Sequence, residues 1–374
     1  MNEIVNGKGS GIILLCRAGF ESDCAAEIQD KTAQLGVYGY CQTQPEQAYV
    51  TYHCQHEEAE HIARKLVLKE LVFAREMFAV LSAVKLAGVE DRASEVINVL
   101  KPHQETFGLA GDLRVETPDT NEANQLSKFC RKFSVPLRRA LRKEDLLSNK
   151  PLAKRPLLHV LFVNAAHALV GYSYSYNQTP YDGGILRLRM PKEAPSRSTL
   201  KLDEAFQVFV PENEQEERIH SGMKAVDLGA APGGWTYQLV RRGMMVQTVD
   251  NGPMAESLMD TGQVKHIQED GFKFRPKKKN INWLVCDMVE KPARVGELMA
   301  SWLLDGDCEE AIFNLKLPMR QRYAAVKEYL EQIKEQLQTE GTKPFEIQAK
   351  HLYHDREEIT VHLRWLLRDK RFSA

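Results

Sequence analysis

The first apolar block, Ile12–Cys16, is short and continuous, as a buried strand is. It is followed by a turn at Ala18-Gly19 and by a segment in which Ala25, Ile28 and Leu35 recur at helical spacing before Gly36. Ala48–Tyr52 alternates like a strand, residues 57–71 return to helical spacing, and Leu157–Val163 with Ala168–Tyr176 form the two β-segments of a hairpin. Residues 1–176 are therefore expected to form a mixed α+β region. Between Asn177 and Ser198 lie Pro180, Gly183, Gly184, Pro191 and Pro195, which break any long element and place a linker at residues 177–197.

Beyond it, residues 198–374 alternate apolar runs with helix-length intervals: Lys224–Leu228, Met244–Val249, Ile281–Cys286 and Ala311–Leu317 are the runs. A long helix is predicted over Gln321–Gln338, with Val326, Tyr329, Leu330, Ile333 and Leu337 on one face. Gly341 and Pro344 end it, and Pro344–Tyr353 and Ile359–Trp365 supply two more strands. Repeated β-α-β units imply an open, largely parallel, doubly wound sheet of Rossmann-like type, with a late antiparallel pair at one edge. The fold class is thus α/β for this part and α+β for the first. There is no internal repeat at solenoid periods.

Composition adds bounds. With 374 residues, 43% hydrophobic and 27% charged, the chain is a folded globular one, and at about 150 residues per domain it divides into two or three. Fifty Lys+Arg against 51 Asp+Glu leave a net charge of −1, so a nucleic-acid partner has to show itself locally. The seven cysteines are scattered and never spaced C-x-x-C, which argues against a disulfide framework and a zinc knuckle. No run is long enough for a signal sequence or membrane span, so a cytoplasmic location without membrane association is expected.

Locally, Lys128–Arg155 carries ten cations against Glu144 and Asp145. Phe129, Phe133 and Leu137 recur every four residues as an apolar face, which leaves Lys128, Arg131, Lys132, Arg138, Arg139 and Arg142 as candidates for RNA phosphates. The competing reading is a solvated amphipathic helix. Lys273–Lys279, basic with Phe274 within it and Phe272 just before it, suits either single-stranded RNA or a solvated loop. His351 and His354 lack a further ligand cluster and are expected to be structural, so no metal is expected.

The first strand of the second domain ends in Asp227-Leu-Gly229-Ala-Ala231-Pro232-Gly233-Gly234-Trp235-Thr236. At the carboxyl end of a strand in a doubly wound sheet, glycines permit close backbone approach to a ligand, and the next helix offers free N–H groups. The spacing is not the G-x-G-x-x-G of a dinucleotide reader, which disfavours a dehydrogenase. The next run terminates at Asp250, where a carboxylate can accept ribose hydroxyls. A plain tight turn and a helix cap are the alternatives for these residues.

This segment resembles the cofactor loop of FtsJ-type, S-adenosylmethionine-dependent RNA methyltransferases. The resemblance implies that Ala231–Gly234 contact the methionine end, that Asp250 meets the ribose and Asp270 the adenine region, and that Asp287 lies beside the methyl donor. Ser198, Asp227, Gly229 and Trp235 complete the implied cofactor set. Four polar residues stand at element ends in the order Lys201, Asp287, Lys316 and Glu358, similar to the K-D-K-E tetrad of FtsJ-type 2′-O-methyltransferases. The resemblance makes Lys316 the general base, Lys201 and Asp287 the setters of its charge, and Glu358 a holder of substrate or lysine. A lysine serves as a base only if its pKa falls from about 10.4 towards neutrality. Glu357 competes with Glu358, because adjacent residues of a strand point to opposite faces. Cys286-Asp287-Met288-Val289 matches neither a base N-methylation loop nor a cytosine-C5 nucleophile.

The segments S-R-S-T-L-K-L-D-E-A-F, V-D-N-G-P-M-A, M-D-T-G-Q-V and L-Y-H-D-R-E-E extend the likeness over the whole chain. It resembles a bacterial family of large-subunit ribosomal RNA methyltransferases that joins a THUMP-type RNA-binding region to a Rossmann-like methyltransferase domain. Ala231 stands where some relatives carry cysteine. The resemblance implies methylation of one cytidine 2′-hydroxyl in the peptidyl-transferase part of 23S rRNA, acting before subunit assembly is complete and without an obligate protein partner. A non-catalytic assembly factor on the same fold and a 2′-O-methyltransferase of another rRNA or tRNA site are the rivals.

Overall fold

The computed structural model describes residues 10–86 and 91–366, and the chain divides into two compact units, Met1–Leu186 and Arg187–Ala374. In the first, β1 (Ser10–Leu15), α1 (Glu21–Gln34), β2 (Tyr40–Gln42), β3 (Tyr49–Cys54), α2 (His56–Lys65) and β4 (Glu76–Lys85) make a β-α-β-β-α-β unit. The chain continues through α3 (Arg92–Leu100), α4 (Gln104–Phe107), β5 (Asp112–Glu116), α5 (Ser127–Lys143), β6 (Leu157–Asn164) and β7 (His167–Ser173). All the described strands join one sheet in the order β2-β3-β1-β4-β7-β6-β5. Ile13, Leu15, Phe78, Val80, Leu161 and Leu169 pack together across it.

Local pattern and outcome differ at α2. The helical spacing runs to residue 71, yet the helix ends at Lys65. Asn177, far along the chain, donates through Nδ2 to Ala63 O (3.0 Å) and Leu66 O (2.6 Å) and accepts from Leu68 N (2.7 Å). A buried side-chain amide from a distant part of the chain thus takes over the carbonyls of the last turn. The interval after residue 177 is fastened in the same way: Arg114, itself paired with buried Glu76, donates to Thr179 O, and Gly183 N donates to Glu116.

The second unit runs α6 (Thr199–Phe209), α7 (Glu212–Arg218), β8 (Lys224–Leu228), α8 (Gly234–Arg241), β9 (Met245–Val249), α9 (Glu256–Met259) and β10 (Val264–Ile267). It continues with β11 (Ile281–Cys286), α10 (Pro292–Leu304), β12 (Cys308–Lys316), α11 (Arg322–Glu340), β13 (Phe345–Lys350) and β14 (Glu358–Trp365). The sheet order is β10-β9-β8-β11-β12-β14-β13. Strands β8 to β12 run parallel, and the order reverses at β8, whose neighbours are β9 and β11. That reversal opens the crevice in which ligands of such sheets bind. Phe206, Phe209, Trp235, Leu239, Trp283 and Ile312 belong to the core on one face of the sheet. The expected antiparallel pair does form this edge of the sheet, with the later strand innermost: β14 inserts between β12 and β13 and runs against both.

Candidate active site

Insertion of β14 delivers the polar residues. In the β12–β14 register Lys316 stands opposite Glu358, and two residues along the same face Asn314 stands opposite Thr360. Parallel pairing of β11 with β12 matches Cys286 to Phe313, which brings Asp287, just past the end of β11, beside Asn314. Lys201 arrives from the first turns of α6.

The four residues converge. Lys201 Nζ lies 2.6 Å from Glu358 Oε1 and 3.2 Å from Asp287 Oδ2. Lys316 Nζ lies 3.3 Å from Glu358 Oε2 and 3.8 Å from Asp287 Oδ1. Burial opposes the charge of Lys201, but Asp287 and Glu358 outweigh it and raise its pKa above the ordinary value. Glu358 is buried, which disfavours its charge, yet the Lys201 hydrogen bond and the two lysine charges hold its pKa below the usual carboxylate range. Glu357 faces away, 62% exposed, and pairs with Arg322 at 3.1 Å.

The glycine loop lies at the end of β8. Gly229 has φ +74° and Gly233 φ +114°, both in the left-handed region, and Gly233 caps α8. A Cβ on Gly234 would collide with Ser198 Oγ and Ser196 Oγ, so the absence of a side chain lets the segment before α6 lie directly on the loop. Asp250, at the end of β9, accepts from Ala231 N (3.0 Å) and Gly252 N (2.7 Å). Pro232 follows a cis peptide bond. Asp270 accepts from Phe272 N at 2.9 Å and is exposed.

Two members of the expected cofactor set sit differently. Trp235 is in the first turn of α8, but its indole is directed into the core, so only its backbone lines the loop. Asp227 is buried beneath the loop and accepts from Thr236 Oγ1 at 2.6 Å. Burial, opposed by that hydrogen bond and reinforced by Asp287 and Asp250, pushes its pKa up to about 7. Sequence patterns missed Asn314 and Thr360; the usable signal was their spacing of two from Lys316 and Glu358.

On α5, Cys130, Phe133, Leu137 and Leu141 are buried, and Lys128, Arg131, Lys132 and Arg139 are exposed. Arg138 and Arg142 turn back instead: Arg138 bonds Asp112 and Leu113 O, and Arg142 donates to Ser148 O at 3.1 Å. In the second basic stretch Arg275 lies over the Trp302 ring and Lys279 donates to Asp305 O, whereas Lys273, Lys277 and Lys278 are exposed. His351 bonds Arg356 O and His354 bonds Glu204. Among the described residues, no cluster could hold a metal and no helix is long and apolar enough to cross a membrane.

Comparison with known proteins gives the family. Residues 194–341 match the FtsJ-like methyltransferase model, and residues 91–174 match the N-terminal model of ribosomal RNA large subunit methyltransferase M. A ribosomal RNA large subunit methyltransferase M of Idiomarina loihiensis is 90% identical over 368 residues, 98% of this chain and 100% of the relative. The chain belongs to the ribosomal RNA large subunit methyltransferase M family. Members from a Photorhabdus species (57% identical over 94% of this chain and 96% of theirs) and a Shewanella species (56%, over 95% and 97%) agree in extent. Residues 10–78 match the family's ferredoxin-like domain, which corrects the THUMP-type expectation for that stretch. The β-α-β-β-α-β order and the pairing β2-β3-β1-β4 are what that description requires.

Proposed function

We propose that this chain transfers a methyl group from S-adenosylmethionine to the ribose 2′-hydroxyl of one cytidine in the peptidyl-transferase region of 23S rRNA, before subunit assembly is complete. The observation that carries the reading is the convergence of Lys316, Lys201, Asp287 and Glu358 at strand ends in the same sheet as the glycine loop.

The residues present suit that cofactor. The backbone of Ala231–Gly234 at the start of α8 is open to close approach, and Asp250, with two acceptor sites used, keeps capacity for ribose hydroxyls. Ser198, Gly229 and the exposed Asp270 border the same loop and its neighbouring strand end. Bound there, S-adenosylmethionine supplies an electrophilic methyl group on a sulfonium. The chain's own contribution is to hold the ribose oxygen and remove its proton. Lys316 Nζ, in its neutral form, accepts the 2′-hydroxyl proton. Lys201, charged and bonded to both Asp287 and Glu358, shares these carboxylates with Lys316 and fixes their positions around it. Glu358 orients Lys316 through its second oxygen. The exposed cations of α5 neutralise rRNA phosphates.

Incubation with isotopically labelled S-adenosylmethionine and either protein-free 23S rRNA or finished large subunits lacking the modification tests this. One 2′-O-methylated cytidine, formed in protein-free rRNA, is the expected result. Label at another rRNA or tRNA site would overturn the substrate, and no label on any RNA despite measured cofactor binding would favour an assembly factor.

A further inference from the structure

Behind the four residues lies a buried row of polar groups whose protons can be counted. Asn314, Thr360 and Asp355 are all fully buried. Asn314 Nδ2 is 2.8 Å from Asp287 Oδ1, and Asn314 Oδ1 is 2.8 Å from Thr360 Oγ1. Thr360 Oγ1 in turn lies 3.0 Å from Asp355 Oδ1 and 2.9 Å from Asp355 Oδ2. The hydroxyl therefore has three oxygens around it and one proton to give.

The Asp287 end fixes the direction. An ionised carboxylate only accepts, so Asn314 must present its amide N–H there; reversing the amide would set two acceptors 2.8 Å apart. Asn314 Oδ1 then faces Thr360 and requires the hydroxyl proton. With that proton committed, the contact between Thr360 and Asp355 is a hydrogen bond only if Asp355 supplies one. Asp355 Oδ2 also accepts from Leu352 N at 3.0 Å. An ionised Asp355 would instead take the Thr360 proton and leave Asn314 Oδ1 against a bare oxygen.

We infer that Asp355 is a neutral carboxylic acid that heads a one-way chain of hydrogen bonds, Asp355 to Thr360 to Asn314 to Asp287, and that this chain is what positions the Asp287 carboxylate for the two lysines. The environment of Asp355 agrees: burial, and then the negative charges of Glu358 and Glu204, raise its pKa well above the ordinary value against the opposing Lys201 charge and Leu352 N–H. Glu204 also clasps the loop before β14, accepting from Tyr353 N and His354 N at 2.9 Å, so the loop carrying Asp355 is tied to the helix carrying Lys201. Asp355, Thr360 and Asn314 are positioning residues that act through Asp287.

This inference rests on the methyl-transfer reading, and its test separates the two. Asparagine at position 355 can donate to Thr360 and accept from Leu352 just as the neutral acid does, whereas alanine cannot. In single-turnover transfer to 23S rRNA, Asp355→Asn is expected within about threefold of wild type, while Asp355→Ala and Thr360→Val fall by about ten- to a hundredfold with cofactor and RNA affinity unchanged. Thr360→Ser should restore the rate. Asp355→Asn as impaired as Asp355→Ala would overturn the neutral-acid assignment, and a wild-type rate for both Asp355→Ala and Thr360→Val would overturn the positioning role. If Asp355→Ala does not fold, the rate of Asp355→Asn and the valine-to-serine contrast at position 360 decide. Failure of the methyl-transfer reading shows itself separately, as a Lys316→Ala protein that still methylates or a wild-type protein that does not.

Discussion

Lys316 and Glu358 face each other directly across the antiparallel β12–β14 pair, with Lys316 Nζ 3.3 Å from Glu358 Oε2, while the other oxygen of the same carboxylate holds Lys201 at 2.6 Å. One carboxylate thus spans both lysines, and the register of two strands selects it. Glu357, one residue earlier, is directed to the opposite side and to Arg322.

The contrast between these neighbours is measurable. Glu358→Gln keeps the volume but removes the charge from between two lysines, and transfer should fall by about a hundredfold or more. Glu357→Gln removes only an exposed ion pair and should change neither the rate nor the melting temperature appreciably. Steady-state rates of the two variants on one rRNA preparation check the assignment, and equal losses would contradict it.

Asp227 predicts a pH dependence of stability. Its folded pKa of about 7 lies above its unfolded value of about 3.9, so the folded state binds the proton more tightly. The stability it contributes is fully present below the unfolded value and is lost as pH rises towards 7, at up to about 1.4 kcal/mol per pH unit. Asp227→Asn removes that slope. The melting temperature of the variant relative to wild type should therefore climb between about pH 4 and 7 and level off above. A difference independent of pH would contradict the buried-acid account.

The basic helix α5 divides into two groups. Reversing the charge of Lys128, Arg131, Lys132 and Arg139 should weaken RNA binding and flatten its dependence on salt, by about 0.7 to 0.9 in logarithmic slope for each phosphate no longer neutralised. Arg138→Ala should instead lower the melting temperature, because its guanidinium holds Asp112 and the Leu113 carbonyl. Filter binding across a salt series, paired with thermal unfolding, distinguishes them; unchanged binding after charge reversal would reduce the helix to scaffold.

What the sequence made legible follows from where local rules suffice. An apolar run that stops at a polar residue, as Val285-Cys286-Asp287 does, marks a strand end, and strand ends of a doubly wound sheet carry chemistry. The glycine loop was legible because positive φ demands glycine at positions 229 and 233. Strand order was not: nothing local to residues 345–365 says that β14 enters the sheet before β13, and only that insertion sets Thr360 against Asn314. The end of α2 was hidden for the same reason, since Asn177 terminates it from more than a hundred residues away. Trp235 looked like a loop residue, and the helical turn that begins at Gly234 carries it into the core.

In the proposed reaction Lys316 takes the proton of a ribose hydroxyl. Single-turnover methyl transfer to protein-free 23S rRNA by Lys316→Ala protein, with cofactor affinity measured on the same sample, tests it most directly. The expected result is a loss of about a hundredfold or more in transfer with cofactor affinity within about twofold of wild type. Ordinary turnover by this variant would contradict it.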